Sequence, residues 1–447
     1  MNIKHKGKAV RTLLWVIVVS FSLAACRSWE TPQVIWAIGA GHHVSDPRLA
    51  LDASGSGMVV WVVDGDHVMA SRYTLAEGWE MAQLIGSANA GSVSSLKIAM
   101  DPNGNALAVW VQNDGVYYSI LANHYTPVGG WEAPQVIGSE EAKHSSYSVY
   151  SSHLQIAMDP YGDGLVVWSH SIASGNRVWS NRYTPAGGWE IAQVVESSDH
   201  SSIISLLDLQ LSMDSDGNAL AVWKYDIWLG VFIEGAYYTP EGGWERHQII
   251  DGTIHHSIPY RLAIYPNANA MVVFQREDKA WYSHYSTARG WSESQYFEIY
   301  GDEIASVPEI ALDDKGEGVA VWVQDYHGDT RNNIWTRSFS PTDGWGLPQI
   351  LSINAARKPI FLQIAMNSHR YAVVVWVQTH GSGYSIGSNY YNPRKRDWEP
   401  TEMLVTFSSE YRNKPSPDLA VDPMDNGVVV WSQMTDNGDK IWGSALK

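Results

Sequence analysis

The sequence predicts an all-β fold: an eight-bladed β-propeller of four-stranded antiparallel blades, with the ring closed by the N-terminal strand. Three observations predict it. An acidic turn followed nine residues later by an aromatic recurs along the chain. Seven of the eight recurrences carry four strand-like segments. One of those segments, typically opening "GWE", is missing from the last repeat and stands alone near the start as "SWETPQVI".

The turn anchors are Asp52 before Trp61, Asp101 before Trp110, Asp159 before Trp168, Asp214 before Trp223, Asp313 before Trp322 and Asp422 before Trp431. Two degenerate copies, Tyr265 before Phe274 and Asn367 before Trp376, keep the spacing and bring the count to eight. A constant length across a turn marks a tight hairpin whose register matters. Repeats of this size, each unable to bury its own faces, indicate a stacked array or a ring.

Each unit reads as strands A to D. Strand A is exemplified by "LKIAMD" (96–101), B by "NALAVWVQ" (105–112), C by "RVWSNRYT" (177–184) and D by "GWEAPQVI" (130–137). Strand B is apolar on both faces, Leu107, Val109 and Val111 on one and Ala106, Ala108 and Trp110 on the other. Such a strand must be covered on both sides. Strand D carries Pro32, Pro134 and Pro348. Proline cannot donate to a ladder, so D is the outer edge. Small four-stranded sheets covered on both faces by their neighbours describe propeller blades.

Seven D strands are marked by Trp79, Trp131, Trp189, Trp244, Trp291, Trp345 and Trp398. The eighth A–B–C set ends with "IWGSALK" (441–447) and no D follows it. Residues 29–35, opening on Trp29, are expected to supply that strand. Residues 26–447 then form one domain, with the core divided among blades.

Composition agrees. The 447 residues are 45% hydrophobic, with 22 Trp and 23 Tyr against 7 Phe, a packed and β-favouring chain. The formal charge is −17. Residues 1–25 hold four cations, Lys4, Lys6, Lys8 and Arg11, and no acid, so without them the balance is more acidic still. A surface this acidic repels nucleic acid, and no nucleic-acid partner is expected.

The basic start, the short apolar run Leu13–Ala25 and the sequence Leu23-Ala24-Ala25-Cys26 resemble a bacterial lipoprotein signal peptide with its lipobox. The apolar run is too short to span a bilayer, which needs about 20 residues. The resemblance implies cleavage after residue 25, diacylation of Cys26 (the only cysteine) and a membrane held through a lipid anchor. Arg27 is not the Asp that retains lipoproteins at the inner membrane, so it implies the outer membrane of a Gram-negative cell. The repeats resemble bacterial lipid-anchored β-propeller lipoproteins over nearly all of the chain beyond the signal. An eight-bladed propeller lipoprotein of the outer-membrane β-barrel assembly machinery is similar in architecture and address only, because its repeat motif differs. The turn also departs from the sialidase Asp box, since Gly follows here at three (Gly104, Gly162, Gly217, Gly316).

Residues able to carry chemistry fall into three sets. The repeated Asp is read as a cap on its own turn rather than a catalytic or calcium-binding group: "DSDGNA" (214–219) lacks the later ligands of an EF-hand loop. One strand C register holds Trp179, Trp281, Trp335 and Trp442 in four blades but other residues elsewhere, which makes these candidate sugar-stacking platforms. The D–A and B–C connections emerge on one face, and they hold most of the histidines. His42, His43, His67, Asp226, Trp228, His255, His256, Asp325 and His327 therefore form the candidate binding face. Neighbouring His are not in themselves a metal-ligand pattern, and no metal or cofactor is implied. No nucleophile elbow, HExxH, P-loop or dinucleotide fingerprint is present. The expected function is a non-catalytic envelope scaffold or binding protein with a protein or envelope-glycan partner. A propeller lectin is the alternative, and a glycan-cleaving enzyme that pairs carboxylates from distant blades is the third reading.

Overall fold

The computed structural model describes residues 27–86, 91–138, 154–172, 175–195, 203–227, 230–254, 260–296, 305–326, 329–352, 359–380, 383–407, 414–435 and 438–447. Those residues form eight antiparallel sheets and no helix. In blade 2, strand A is Ser92–Met100, B is Ala106–Asn113 and C is Tyr118–Thr126. Strand D comes in two short pieces, Gly130–Trp131 and Gln135–Val136, both paired to C. The interruption falls at Glu132–Pro134, where the proline withdraws its donor at no cost to an inner neighbour. Seven blades repeat this order, and the inner strands touch one another in an unbroken circle, blade 8 meeting blade 1.

The eighth blade is completed from the other end of the chain. Its inner strands are Asp418–Val421, Gly427–Gln433 and Lys440–Leu446, and its D strand is Gln33–Ala37 with a bridge from Trp29 to Leu446. The clasp thus runs two residues beyond the expected 29–35. It reproduces the bonds of an ordinary D strand. Glu30 N donates to Ala445 O at 2.8 Å as Glu80 N does to Arg72 O at 2.7 Å. Ser444 Oγ donates to Glu30 O as Ser71 Oγ does to Glu80 O, both at 2.7 Å. Trp29 Nε1 donates to Ser388 Oγ of blade 7 at 2.7 Å, just as Trp244 donates to Ser180 of the preceding blade.

The core is a ring of eight seams. Strand B of each blade turns Trp (Phe274 in blade 5) towards the preceding blade and Val, Leu or Met towards the following one. Trp110 packs against Met58, Val60 and Val62 of blade 1. Val109 and Val111 pack against Trp168 of blade 3. Trp61 meets Val428 and Val430 across the closure. All eight of these aromatic side chains are at most 1% exposed.

The A–B hairpins explain the repeated acid. Asp101 Oδ1 accepts the amides of Asn103 (2.8 Å) and Asn105 (2.9 Å). Asp52, Asp159, Asp214, Asp313, Asp422 and Asn367 cap their turns by the same two bonds. The second oxygen faces the next blade. A Cβ on Gly104 would lie 3.2 Å from Asp52 Oδ2, and one on Gly162 would lie 3.3 Å from Asp101 Oδ2. Both glycines have positive φ, +87° and +89°, so conformation and close approach each require glycine there. Where the third position is not glycine, a bond replaces the bare approach. Ala268 N donates to Asp214 Oδ2 at 3.0 Å, Arg370 Nε pairs with Asp313 Oδ2 at 3.5 Å, and Asn367 Nδ2 donates to Asp425 Oδ1 at 2.8 Å.

Two predictions follow from closure and capping. Deleting Trp29–Ala37 will leave the Lys440–Leu446 strand as an open edge; the protein is expected to melt earlier and to aggregate, and an unchanged melting temperature with a monomeric elution profile would refute closure by the clasp. Asp101→Ala removes the buried acceptor of two hairpin amides and is expected to cost about 1 kcal/mol in urea unfolding, with ligand or partner binding retained.

Candidate functional site

The first half of each inner strand builds a polar ring around the channel. In register, opposite the valine that precedes the strand B aromatic, stand Arg48, Lys97, Gln155, Gln210, Arg261, Glu309, Gln363 and Asp418. Two residues on in each strand the register holds Ala50, Ala99, Ala157, Ser212, Ala263, Ala311, Ala365 and Ala420. Large polar groups therefore sit towards the D–A and B–C connections, and small ones towards the A–B hairpins. A cavity of about 400 Å³ opens at the polar level, lined by residues of blades 1 to 5 that include Asp46, Arg48, Ser94, Lys97, Gln155, Gln210 and Arg261.

Side chains of the ring reach from blade to blade. Arg261 Nε lies 2.9 Å from Glu309 Oε1. Gln363 Nε2 donates to Asp418 Oδ1 at 3.1 Å, and Leu49 N donates to Asp418 Oδ2 at 2.8 Å. Gln155 Nε2 donates to Leu209 O at 2.9 Å. Above them the fully buried Lys224 Nζ lies 2.6 Å from Asp208 Oδ2. Burial pushes Glu309 up to about 7 against the pull of Arg261. Burial, helped by the charge of Arg48 and opposed by Asp418, pushes Lys97 down to about 8. Desolvation disfavours the charged form of each, so the carboxyl rises and the amine falls.

The strand bends that aim these groups are β-bulges. Register slips occur at Ser45/Arg48, Ser94/Lys97, Leu207/Gln210, Ser306/Glu309 and Ile360/Gln363. Asp46, Ser95, Asp208 and Phe361 take positive φ inside them, between 52° and 56°. Bulges re-aim side chains and are frequent beside binding sites. None of these ring residues is among the candidates read from the sequence, where strand A is assigned no functional role. The signal was present: a charged or amide residue two positions before a small one, in every blade.

The predicted binding face is partly assembled. His42 Nδ1 lies 2.7 Å from Asp64 Oδ2, His43 N donates to Asp64 Oδ1 at 2.8 Å, and His43 Nδ1 lies 3.1 Å from Asp439 Oδ2. His67 is bonded to Asp66. These contacts join the blade 8-to-1 connection to the B–C connections of both blades, which puts the two connection types on one face. Desolvation works against the Asp64 carboxylate, but the His43 amide and the two imidazoles hold it below the usual carboxylate range. Asp226 lies part-exposed near the end of strand B of blade 4, opposite Val231. Asp325 lies on strand B of blade 6. Cys26, Trp228, His255, His256 and His327 lie outside the described residues. Among the described residues no group of three or more His, Cys, Asp or Glu side chains is arranged to hold a metal ion.

The tryptophan register is largely packed. Trp179 and Trp335 are 6% and 4% exposed, so they present no open ring face. Trp281 is part-exposed, with the Arg276 guanidinium 4.7 Å over its ring. Trp442 stacks on Trp431 at 6.5 Å with 5° between planes, and Lys440 lies 5.7 Å from its ring.

One histidine of the B–C group belongs elsewhere. His170 lies inside strand B of blade 3, Gly164–Ile172, 1% exposed, with neither ring nitrogen hydrogen-bonded. Burial pushes it down to about 4. Four blades hold a glutamine at the same position: Gln112, Gln324 and Gln378 accept from the tryptophan two residues before, whereas Trp431 Nε1, two residues before Gln433, has no acceptor. Trp168 lacks that acceptor.

No protein-family pattern matches the chain, and no curated protein matches it in sequence. Solved structures match in fold. A protein of unknown function from Dyadobacter fermentans is 9% identical over 94% of this chain and 99% of that one, with a TM-score of 0.46. The polysaccharide lyase Uly1 is 8% identical over 82% and 92%, TM-score 0.49. The lectin of Aleuria aurantia is 10% identical over 81% and 96%, TM-score 0.40. At such identity the likeness concerns architecture alone.

A pH prediction follows for His170. From the usual 6.5 down to about 4, an unfolded histidine binds a proton that the folded one refuses, so stability is lost as pH falls through that window. His170→Gln is expected to remove a loss of roughly 2–4 kcal/mol and to provide Trp168 with an acceptor. Urea unfolding at pH 7 and pH 4.5 measures it. Parallel losses in variant and wild type would contradict the assignment.

Proposed function

We propose that the protein is a lipid-anchored binding protein of a Gram-negative outer membrane, docking a protein or envelope glycan on the face formed by its D–A and B–C connections. The observation that carries this reading is the position of Arg27. Its guanidinium lies 3.6 Å from Asp425 Oδ2 in the A–B hairpin of blade 8, and 4.9 Å over the Tyr371 ring at the hairpin of blade 7. The chain therefore leaves the propeller at the A–B face. A lipid on Cys26, one residue away, would hold that face to the bilayer, since an extended chain covers at most about 3.6 Å per residue. The connection-rich face and the polar mouth of the channel then point away from the lipid. Acidic groups on that face, such as Asp226 and Asp278, favour a partner surface that is neutral or basic.

Co-purification from membranes tests the reading. Cys26→Ser is expected to release a folded protein from the membrane fraction and to abolish labelling by a palmitate analogue. Asp226→Lys with Asp278→Lys is expected to lose the co-purifying partner, whereas Asp216→Lys with Lys315→Glu on the A–B hairpins is expected to keep it. The reverse pattern would refute the orientation.

A further inference from the structure

We propose that the channel cavity is a binding site for a small hydroxylated molecule carrying one oxyanion group, a carboxylate or phosphate such as that of an acidic monosaccharide, with Arg48 and Lys97 as its anion contacts. The site lies inside the channel that opens on the docking face, is lined by other residues, and does not require a lipid anchor.

Charge pairing around the channel singles out these two cations. Arg261 has Glu309, Lys224 has Asp208, and the oxygens of Asp418 are taken by Leu49 N and Gln363 Nε2. Arg48 and Lys97 stand at equivalent registers on neighbouring inner strands, and among the described residues neither has an ion-pair partner. The one bond made by Arg48 runs from Nη1 to the carbonyl of Pro47 at 3.2 Å, and its Nε is buried with no acceptor. Two adjacent, part-buried, like charges cost free energy unless an anion joins them. Their retention in a cavity of about 400 Å³, within the usual range for small-ligand sites, points to a ligand that supplies that anion.

The rest of the wall selects hydroxyls over a bare ion. Gln210 and Ser94 offer both donors and acceptors, and Gln155 offers its amide oxygen as an acceptor. Asp46, exposed at the mouth, is an acceptor only when ionised. Tyr260 is not a contact, because its hydroxyl is spent on Val222 O at 3.0 Å. Planar, bidentate recognition by Arg48 and a point charge from Lys97 suit a carboxylate or phosphate equally.

The charges facing Lys97 are Arg48, Asp418, Arg261 and Asp46. Because Lys97 loses its proton near pH 8 and a bound anion favours the protonated amine, anion affinity is expected to fall above that pH. Its replacement by Met removes an unpaired charge, so the variant is expected to fold.

Calorimetric titration of the full-length protein in a non-ionic detergent tests the proposal with four probes: glucuronate, glucose 6-phosphate, glucose and inorganic phosphate. At least one of the two anionic sugars is expected to bind ten-fold or more tighter than glucose and inorganic phosphate, and which of them does so distinguishes a carboxylate ligand from a phosphate ester. Lys97→Met and Arg48→Met should each weaken that binding at least ten-fold, with an unchanged or raised melting temperature. Asp46→Asn should leave it unchanged or tighten it. No binding of either anionic sugar, or binding untouched in a folded Lys97→Met protein, would overturn the proposal. So would equal affinity for inorganic phosphate, because the hydroxyl-binding wall would then contribute nothing. Failure to capture a membrane partner alongside intact sugar binding would refute the docking reading and leave this one standing.

Discussion

The A–B hairpin carboxylate links the shape of a turn to the spacing of the blades. One oxygen closes its own hairpin by accepting two amides, as Asp101 does from Asn103 and Asn105. The other stands against the hairpin of the next blade, where glycine alone leaves room. Lengthening the turn would move both contacts, so the anchor spacing stays constant even where the acid is gone. In blades 5 to 8 the contact persists in altered form, through Ala268, the Tyr265 ring at Gly316, Arg370 and Asp425. The circle of hairpins thus keeps one geometry with several chemistries.

Given that spacing, the hydrophobic core need not have a centre. Each strand B supplies an aromatic to one seam and aliphatics to the next, so eight small cores are held in series. A series that closes on itself has no exposed terminal face, which an open stack must cap. The clasp removes the last edge with hydrogen bonds taken from both ends of the chain, including Ser28 N to Lys447 O at 3.2 Å and the Lys447–Glu30 ion pair at 2.8 Å. With a single cysteine the chain forms no internal disulfide, and closure does the work of tying its ends.

Polar chemistry gathers where the series of cores ends, on the inner strands. There the unpaired strand edge and the channel admit large polar side chains that the seams exclude. Bulges in blades 1, 2, 4, 6 and 7 turn these groups towards one another, and most find partners across blades. Arg48 and Lys97 do not, which separates a candidate ligand site from the structural pairing around it.

Strand order, blade number and the missing outer strand were legible in the sequence, because each depends on local spacing: the anchor interval, the alternation in strand B, the prolines of strand D. The capping role of the repeated Asp was legible for the same reason. The polar ring was not, although its residues recur at one position, since nothing local says that eight equivalent positions converge on one axis. Trp179 and Trp335 read as platforms because their register varies; the neighbouring blade that buries them is contributed from tens of residues away. His170 stands beside a B–C connection in the sequence, yet it is buried where three other blades place a glutamine that accepts from the tryptophan. The sequence by itself determined what each blade is, through periodicity and turn chemistry that act over a few residues. Which side chains meet, and which charges stay unpaired, only the tertiary structure decided, because ring closure brings into contact positions separated by whole repeats and by the full length of the chain.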